Sequence, residues 1–295
     1  MIWLGPQRGY LVDWLTQQWV RATGKKININ EEAWLDGPVG RPRGIGSDFF
    51  ADYARENHLE LSQDGTRGLT PDFGLLELEE GPKVAAEVRR FYEQTSEYEL
   101  DVWSEWRGLF RPFGRALAIL FSRRLQQLNV PLSPLDSSKG MSSAVLQLRH
   151  PGSGKTVQTA WVRKLRATGN VLYAGSYSVC RVPGYQRPCV KVVFPLPNGN
   201  AIVLMKPEAH ADGSFSLTSA GRTFGDPGFY FTVHGGIGDV WARYVPAMTE
   251  TIIVYADGND AVRADHLLRL SGLQFLRLHY RSRVLEQCRR TNAPA

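Results

Sequence analysis

Two segments near the end of the chain hold the residues best suited to acid–base chemistry. In residues 262–270, the alternation of polar and apolar side chains places Asp265 on one face with neighbouring arginines. In residues 274–282, the same alternation places His279 between two arginines. If the segments pair as a hairpin, Asp265 orients the His279 imidazole beside cationic side chains, which suits a general base or an anion-binding site. A solvated ion-pair face on the outside of a sheet is the alternative. These arginines are Arg263, Arg269, Arg277 and Arg281.

Aromatic residues in the second half of the chain form the other candidate site. A pocket within a sheet is lined by large side chains, and a few polar groups orient the ligand there. Arg243 shares the face of Trp241 by two-residue alternation, which makes it a candidate anchor for an acidic head group. Plain core packing is the alternative role for each aromatic residue. The predicted ligand-binding residues are Trp161, Tyr177, Phe231, Trp241 and Arg243.

The motifs typical of nucleotide and metal sites are incomplete in this sequence. Residues 152–156 (GSGKT) end like a phosphate-binding loop, but Arg149 occupies the position of its first glycine and a strand-like segment follows. The 6 histidines form no HExxH pair, and the 3 cysteines form no CxxC pair. We therefore predict neither a cofactor nor a metal site. We interpret His266 as a core histidine, and Cys180 and Cys189 as small apolar groups that face each other across a loop.

The front of the chain is predicted to be helical. The spacing of apolar residues predicts helices over residues 3–23 and 49–57. Apolar residues then recur at steps of four and three, which predicts one long helix over residues 84–102. A further helix is predicted over residues 112–128, and its apolar face would pack across the mouth of the following sheet. Binding of that helix to a membrane surface is the alternative.

From about residue 141 the period of the pattern changes to two. About ten strands are predicted there, and the turn at Asn198 and Gly199 is the strongest hairpin signal. No insert as long as a helix separates the strands, so antiparallel pairing is expected. The sequence predicts an α+β fold in which N-terminal helices precede a large antiparallel β-meander, closed into a barrel or strongly curled around a cavity. The predicted parts are a helical N-terminal region, residues 1–135, and an antiparallel β domain, residues 136–295, in one integrated unit.

Composition and charge exclude several classes of protein. With 295 residues, 43% of them apolar, the chain is too apolar for a disordered protein, and 3 cysteines are too few for a disulfide scaffold. The net charge is +6. Residues 1–110 contain 12 Lys+Arg and 19 Asp+Glu, whereas the residues after 110 contain 23 Lys+Arg and 10 Asp+Glu. Because no nucleic-acid motif accompanies the basic half, we expect the two halves to neutralise each other and predict no nucleic-acid partner.

Hydropathy and the first residues of the chain lead to an expectation about location. The longest aliphatic run, residues 116–121, is far shorter than the roughly 20 residues that a membrane-spanning helix needs. The first residues lack the basic and apolar regions of a signal peptide. We therefore expect a soluble cytoplasmic protein without an integral membrane segment.

Three stretches of the sequence resemble an uncharacterised family of bacterial proteins. They are residues 91–106 (FYEQTSEYELDVWSEW), 161–184 (WVRKLRATGNVLYAGSYSVCRVPG) and 264–281 (ADHLLRLSGLQFLRLHYR). The resemblance extends from about residue 36 to residue 282. It implies no activity and no catalytic residue, but it implies that the helical and β parts form one unit.

Together these patterns favour a soluble protein that binds a hydrophobic or amphipathic small molecule in a cavity of the β domain. One alternative is an enzyme that acts on such a ligand by acid–base chemistry with Asp265 and His279. A second alternative is an interaction module without a small-molecule site. The first two differ in whether the arginine-rich face of the last two strands points into a cavity. The sequence names neither the ligand nor the oligomeric state.

Overall fold

The computed structural model describes residues 2–107, 112, 141–166, 169, 171–236, 238–258 and 261–285. Within these residues the fold is mostly antiparallel sheet, and three α-helices precede the long strands. Helix α1 is Leu11–Thr23, α2 is Phe49–Glu56 and α3 is Ala86–Glu93. Short 3-10 helices lie at Ala33–Leu35, Phe73–Leu76 and Thr95–Glu97. The predicted helix over residues 112–128 lies outside the described residues apart from residue 112, and so does the predicted boundary at residue 135.

The described residues contain fourteen strands in one hydrogen-bonded sheet, and the pairings between these strands are antiparallel. The N-terminal strands are β1 (Lys25–Ile27), β2 (Glu60–Ser62) and β3 (Tyr98–Trp106). The following strands are β4 (Met141–Arg149), β5 (Thr156–Leu165), β6 (Val171–Val182), β7 (Tyr185–Leu196), β8 (Gly199–Ala209) and β9 (Phe215–Ser219). The last strands are β10 (Phe229–His234), β11 (Val240–Tyr244), β12 (Met248–Ala256), β13 (Ala261–Leu270) and β14 (Leu273–Val284).

Strand β8 is the branch point of the sheet. Its residues 199–203 pair with β10, whereas its residues 206–209 pair with β9. One path of neighbours therefore runs β2-β4-β5-β6-β7-β8-β9-β12-β13-β14-β3, while β10, β11 and β1 form a wing beside β8. The prediction of a closed barrel or strongly curled sheet is wrong, because the path ends at β2 and β3 and no pairing among the described strands joins those ends. A strand that pairs with different neighbours along its first and last parts favours an open, branched sheet over a closed barrel.

The prediction of a helix over residues 84–102 is wrong in its second half. Helix α3 ends at Glu93, and β3 follows it and pairs with β14 along its whole length. Tyr98 and Val102 are four residues apart, so they fit helical spacing as well as strand alternation. In the structure Tyr98, Leu100 and Val102 are buried on one face of β3, so pairing and burial outweigh the local helical pattern. With β1 and β2, this strand shows that the N-terminal region is not purely helical.

Three clusters of buried apolar side chains hold the helices against the sheet. The largest contains Val88 of α3 and Phe215 of β9, and α3 contacts β12 and β13. A second contains Leu35 of the first 3-10 helix and Tyr230 of β10, and a third joins α2 to β4 and β5. Full burial of an aliphatic or aromatic side chain stabilises a fold by about 1.5–3 kcal/mol. The contacts of the largest cluster fix α3 over β12 and β13.

Several local predictions are confirmed. Helix α2 covers all but one residue of the predicted helix over residues 49–57. Strands β7 and β8 are joined at Asn198 and Gly199, and the φ angle of Asn198 is 56°, a left-handed conformation typical of tight hairpin turns. Cys180 and Cys189 are direct partners across β6 and β7, as the loop between them indicated.

Candidate functional site

A cavity of about 90 Å³ lies between α3 and the sheet. Side chains from α3 and from strands β3, β5 to β9 and β12 to β14 line it, and most of them are apolar or aromatic. A single water needs roughly 10–15 Å³ of such space, so several waters or a small organic group fit inside. Besides tyrosines, the charged or titratable residues of the lining are Arg163, Arg263, Glu250 and His266. The Arg263 guanidinium is already paired, since its Nε donates a hydrogen bond to Asp257 Oδ2 at 2.9 Å. We call this space the Arg163 cavity.

Alternation along β5 places Trp161 and Arg163 in the cavity. The two residues are two positions apart in a strand, so their side chains lie on the same face. Trp161 is buried, and its Nε1–H donates a hydrogen bond to Ser143 Oγ at 2.6 Å, which fixes the indole. The ring centroids of Trp161 and Tyr177 are 6.0 Å apart. Two of the predicted ligand-binding residues, Trp161 and Tyr177, therefore lie together in the wall of the cavity.

Arg163 is buried against aromatic rings instead of a carboxylate. It is only 8% exposed, and its guanidinium carbon lies 3.5 Å from the ring centroid of Trp161. The same carbon lies 4.8 Å from the centroid of Tyr173 and 5.3 Å from that of Tyr280. Its Nε atom has no hydrogen-bond partner among the residues that the structure describes. Cation–π contacts worth about 0.5–2 kcal/mol offset only part of the desolvation of a buried cation, so the cavity is suited to an anion.

The tyrosine hydroxyls near Arg163 are neutral at physiological pH. The Oη atoms of Tyr173 and Tyr177 lie 2.6 Å apart in a hydrogen bond. Burial raises the pKa of Tyr177 to about 12, although the Arg163 charge opposes the shift. Burial also raises the pKa values of Tyr173 and Tyr280. Such hydroxyls act as hydrogen-bond donors to the oxygen atoms of a ligand.

Glu250 and His266 form a carboxylate–histidine pair in the same cavity. The His266 Nε2 and Glu250 Oε2 atoms are 3.0 Å apart. The His266 ring also stacks on Tyr280, with centroids 6.3 Å apart and planes inclined by 26°. The carboxylate fixes the orientation of the imidazole and favours one tautomer. His266, interpreted above as a core histidine, thus lines the cavity and is hydrogen-bonded there.

The other predicted ligand-binding residues lie outside the Arg163 cavity, beside α1. The ring centroid of Phe231 is 6.0 Å from that of Trp19, and the Trp241 ring lies 5.0 Å from the guanidinium carbon of Arg21. The Arg243 Nη1 atom donates a hydrogen bond to the carbonyl oxygen of Thr23 at 2.8 Å. The structure therefore divides the predicted set between two places: Trp161 and Tyr177 in the cavity, and Phe231, Trp241 and Arg243 at the α1 surface.

The predicted Asp265–His279 arrangement forms, but on the other face of the sheet. The two residues are register partners across β13 and β14, and His279 Nδ1 lies 3.0 Å from Asp265 Oδ1. The Arg277 Nη2 atom donates to the same oxygen at 2.8 Å, and Arg263 approaches His279 Nε2 at 3.3 Å. Burial raises the pKa of Asp265, but hydrogen bonds from His279 and Arg277 outweigh it and hold the pKa below its usual value. Asp265 follows the cavity-lining Ala264, so its side chain points away from the cavity.

The described residues contain neither a cluster of metal ligands nor a membrane-spanning helix. No group of three or more His, Cys, Asp and Glu residues in the described part of the chain is arranged to hold a metal ion. No helix formed by those residues is long and apolar enough to cross a membrane.

Sequence reasoning missed Arg163, Glu250 and His266 as cavity residues. Arg163 could have been predicted from the sequence, because two-residue alternation from Trp161 places it on the same face of the predicted strand. Alternation within one strand could not predict that Glu250 and His266 lie close together. They lie on different strands, and their proximity depends on the register in which Ile252 pairs with His266.

Comparison with known proteins gives one informative relative. No protein-family model and no solved structure matches the chain. The chain is 29% identical over 245 residues to the "Uncharacterized membrane protein YndJ" of Bacillus subtilis (strain 168). The matched part is 81% of this chain and 41% of that relative, so the chain spans about two fifths of the relative's length.

This comparison confirms one expectation and contradicts another. The name of the relative mentions no activity or ligand and describes it as a membrane protein, which contradicts the expectation of a cytoplasmic protein. The described residues contain no helix that could cross a membrane. The resemblance is confirmed: the chain is similar to an uncharacterised bacterial protein.

Proposed function

We propose that the protein binds a small amphipathic molecule with one anionic group in the Arg163 cavity. The observation that supports this function is the buried Arg163 guanidinium, which stacks on Trp161 and lacks a hydrogen-bond partner at Nε. The anionic group of the ligand binds this guanidinium. The apolar part of the ligand contacts the surrounding aliphatic and aromatic side chains.

The polar groups around Arg163 favour a carboxylate or a similar anion. A guanidinium presents planar N–H donors that match the two oxygens of a carboxylate, and neutral tyrosine hydroxyls add further donors. Tyr173, Tyr177 and Tyr280 are neutral because burial raises their pKa values. The Glu250 carboxylate on β12 lines the same cavity and disfavours a second negative charge on the ligand. A ligand with one anionic end therefore fits best.

The name of the relative guides the choice of the first ligands to test. That protein is named a membrane protein, and amphiphilic acids concentrate at membranes. Octanoate is a suitable probe, because it combines a carboxylate with a short apolar chain. 1-Octanol has the same chain length without the charge and is the matched neutral probe.

Calorimetric titration with both probes tests the proposal. We expect saturable binding of octanoate and much weaker binding of 1-octanol. Arg163→Gln should weaken octanoate binding by about tenfold or more, since hydrogen bonds to charged groups contribute about 1.5–3 kcal/mol.

Arg43→Gln is the matched control for this titration. The Arg43 guanidinium carbon also lies over an aromatic ring, 5.7 Å from the centroid of Trp3, but Arg43 is exposed and outside the cavity. This variant should bind octanoate like the wild type. The proposal fails if octanoate does not bind the wild type, or if Arg163→Gln binds it with unchanged affinity.

The acid–base alternative with Asp265 and His279 stays a prediction. The two side chains form the expected pair, yet they point away from the Arg163 cavity. A ligand in the cavity would therefore not reach them. The geometry favours binding in the cavity over catalysis by this pair.

A further inference from the structure

Helix α1 buries two polar side chains and exposes two large apolar ones, although its Val20 is buried as expected. Asp13 and Gln17 are buried, and Gln17 Nε2 donates a hydrogen bond to the carbonyl oxygen of Pro197 at 3.0 Å. In contrast, Leu15 is 54% exposed and Trp19 is 42% exposed. A surface helix normally buries its apolar side chains and exposes its polar ones. Since Leu15 and Trp19 are four residues apart, they are neighbours on one stripe of the helix.

A third exposed apolar residue lies at the start of this helix. The backbone N–H of Leu11 donates a hydrogen bond to the carbonyl oxygen of Ile2 at 2.9 Å, and the Ile2 side chain is exposed. Ile2, Leu15 and Trp19 are three of the seven large exposed apolar residues in the described part of the chain. We call these three residues the α1 stripe.

Cationic side chains flank the α1 stripe. The Arg243 guanidinium carbon lies 6.0 Å from the Trp19 ring centroid, and Arg21 is at the last turn of the helix. Of the nearby carboxylates, Asp13 is buried, and Asp239 forms an ion pair with Lys26 at 2.6 Å. The rim of the stripe is therefore positively charged.

We propose that the α1 stripe docks the protein onto a lipid bilayer that contains anionic lipids. Leu15 and Trp19 enter the interface between head groups and acyl chains, where tryptophan and aliphatic side chains on amphipathic helices reside. Arg21 and Arg243 contact the lipid phosphates, which favours bilayers with negative surface potential.

Charge favours a bilayer over a second copy of this chain. Two copies that paired through the α1 stripe would bring Arg21 and Arg243 of each copy close to the same residues of the other. Juxtaposed like charges disfavour such an interface. An anionic bilayer instead supplies phosphates to the cations and apolar depth to Leu15 and Trp19.

Co-sedimentation with vesicles tests this proposal without any ligand of the cavity. The wild type is mixed with phosphatidylcholine vesicles that contain roughly one third phosphatidylglycerol, and with pure phosphatidylcholine vesicles. We expect binding to the anionic vesicles, and both pure phosphatidylcholine and about 0.5 M NaCl should weaken it. Leu15→Ser and Trp19→Ser should each weaken binding by about fivefold or more, because each removes apolar surface that the bilayer buries.

The chain offers matched controls for both substitutions. Trp103 on β3 is 44% exposed, close to the value for Trp19, and Leu273 at the start of β14 is also exposed. Trp103→Ser and Leu273→Ser should bind the vesicles like the wild type. The proposal is overturned if the wild type does not bind anionic vesicles, or if the control variants weaken binding as much as Leu15→Ser and Trp19→Ser. Because all four side chains are exposed, thermal unfolding should confirm that each variant is folded.

Discussion

Strand β13 presents two carboxylate–histidine pairs, one on each face of the sheet. The His266–Glu250 pair faces the Arg163 cavity and the His279–Asp265 pair faces outwards, and each has a nitrogen–oxygen distance of 3.0 Å. The side chains of the inner pair are 14% and 10% exposed, and those of the outer pair are 28% and 21% exposed. Two pairs with the same chemistry and distance thus differ in their surroundings.

The surroundings decide what each pair can do. Asp265 also accepts hydrogen bonds from Arg277, and Tyr255 donates to it at 3.4 Å, so its charge is already compensated at the surface. The inner pair borders a cavity whose buried cation, Arg163, has an unpartnered Nε atom. An electrostatic interaction in a desolvated site is stronger than the same interaction in water. The comparison supports the proposal of ligand binding at the inner face, whereas the outer face is an ion-pair network.

The largest expected difference between the two faces concerns tryptophan. Trp161 is buried in the cavity wall, whereas Trp103 lies on the outer face next to His279. Trp161→Ala should lower the free energy of unfolding by about 3–5 kcal/mol, because it removes a buried aromatic side chain. Trp103→Ala should lower it by less than about 1 kcal/mol. Urea unfolding followed by circular dichroism measures both values, and equal losses would contradict the assignment of inner and outer faces.

A smaller difference is expected between the two carboxylates. Glu250→Ala removes the partner of the largely buried His266, whose side chain is 14% exposed, and should cost about 1–3 kcal/mol of unfolding free energy. Asp265→Ala breaks a more exposed network and should cost about 0.2–1 kcal/mol. The same urea titration measures both variants. A larger loss for Asp265→Ala would show that the outer network stabilises the fold more than the inner pair.

The comparison also shows which parts of the molecule local sequence patterns predict. Alternation alone correctly placed Asp265 beside His279, because these residues belong to consecutive strands joined by a short turn. Trp161 and Tyr177, predicted from their aromatic character, do line the cavity. Trp241 was predicted on the same ground and Arg243 was joined to it by alternation, although both face α1. Alternation gives two faces per strand but does not say which element covers each face.

The architecture was harder to predict than the strands. The branch at β8 depends on different strands pairing with the first and last parts of one strand, and no local pattern signals that division. The end of α3 was missed because Tyr98 and Val102 fit both periods, and only pairing with the distant β14 decides between them. The expected cytoplasmic location is contradicted by the name of the relative, which hydropathy could not anticipate because it detects only helices that cross a membrane.

The two histidines should differ in their effect on octanoate binding. His266→Gln alters the cavity wall and weakens the compensation of the Glu250 carboxylate, which then repels the octanoate anion. We expect the dissociation constant to rise by about three- to tenfold, which corresponds to roughly 1 kcal/mol. His279→Gln lies on the other face and should leave the constant unchanged. The calorimetric titration proposed above compares them, and equal effects would indicate that octanoate binds elsewhere.

The smallest expected effect is the acid dependence that Asp265 gives to stability. Burial raises the pKa of Asp265, but hydrogen bonds from His279 and Arg277 lower it further, so the folded pKa lies below the unfolded value of about 3.9. The folded state therefore holds fewer protons on Asp265. Its contribution to stability is fully present above the unfolded pKa and is lost as the pH falls through the folded pKa. Asp265→Asn removes the titrating group, so its melting temperature should fall less than that of the wild type between about pH 5 and pH 3.

The control for this acid titration is another surface carboxylate with a cationic partner. Asp239 pairs with Lys26 at 2.6 Å, and both side chains are well exposed. Because a water-exposed pair of this kind contributes little to stability, Asp239→Asn should keep the acid dependence of the wild type. If wild type and Asp265→Asn lose the same number of degrees over this range, the hydrogen bonds to Asp265 do not stabilise the folded state. The outer face would then hold an ion-pair network without energetic consequence, and the contrast with the inner pair would be sharper still.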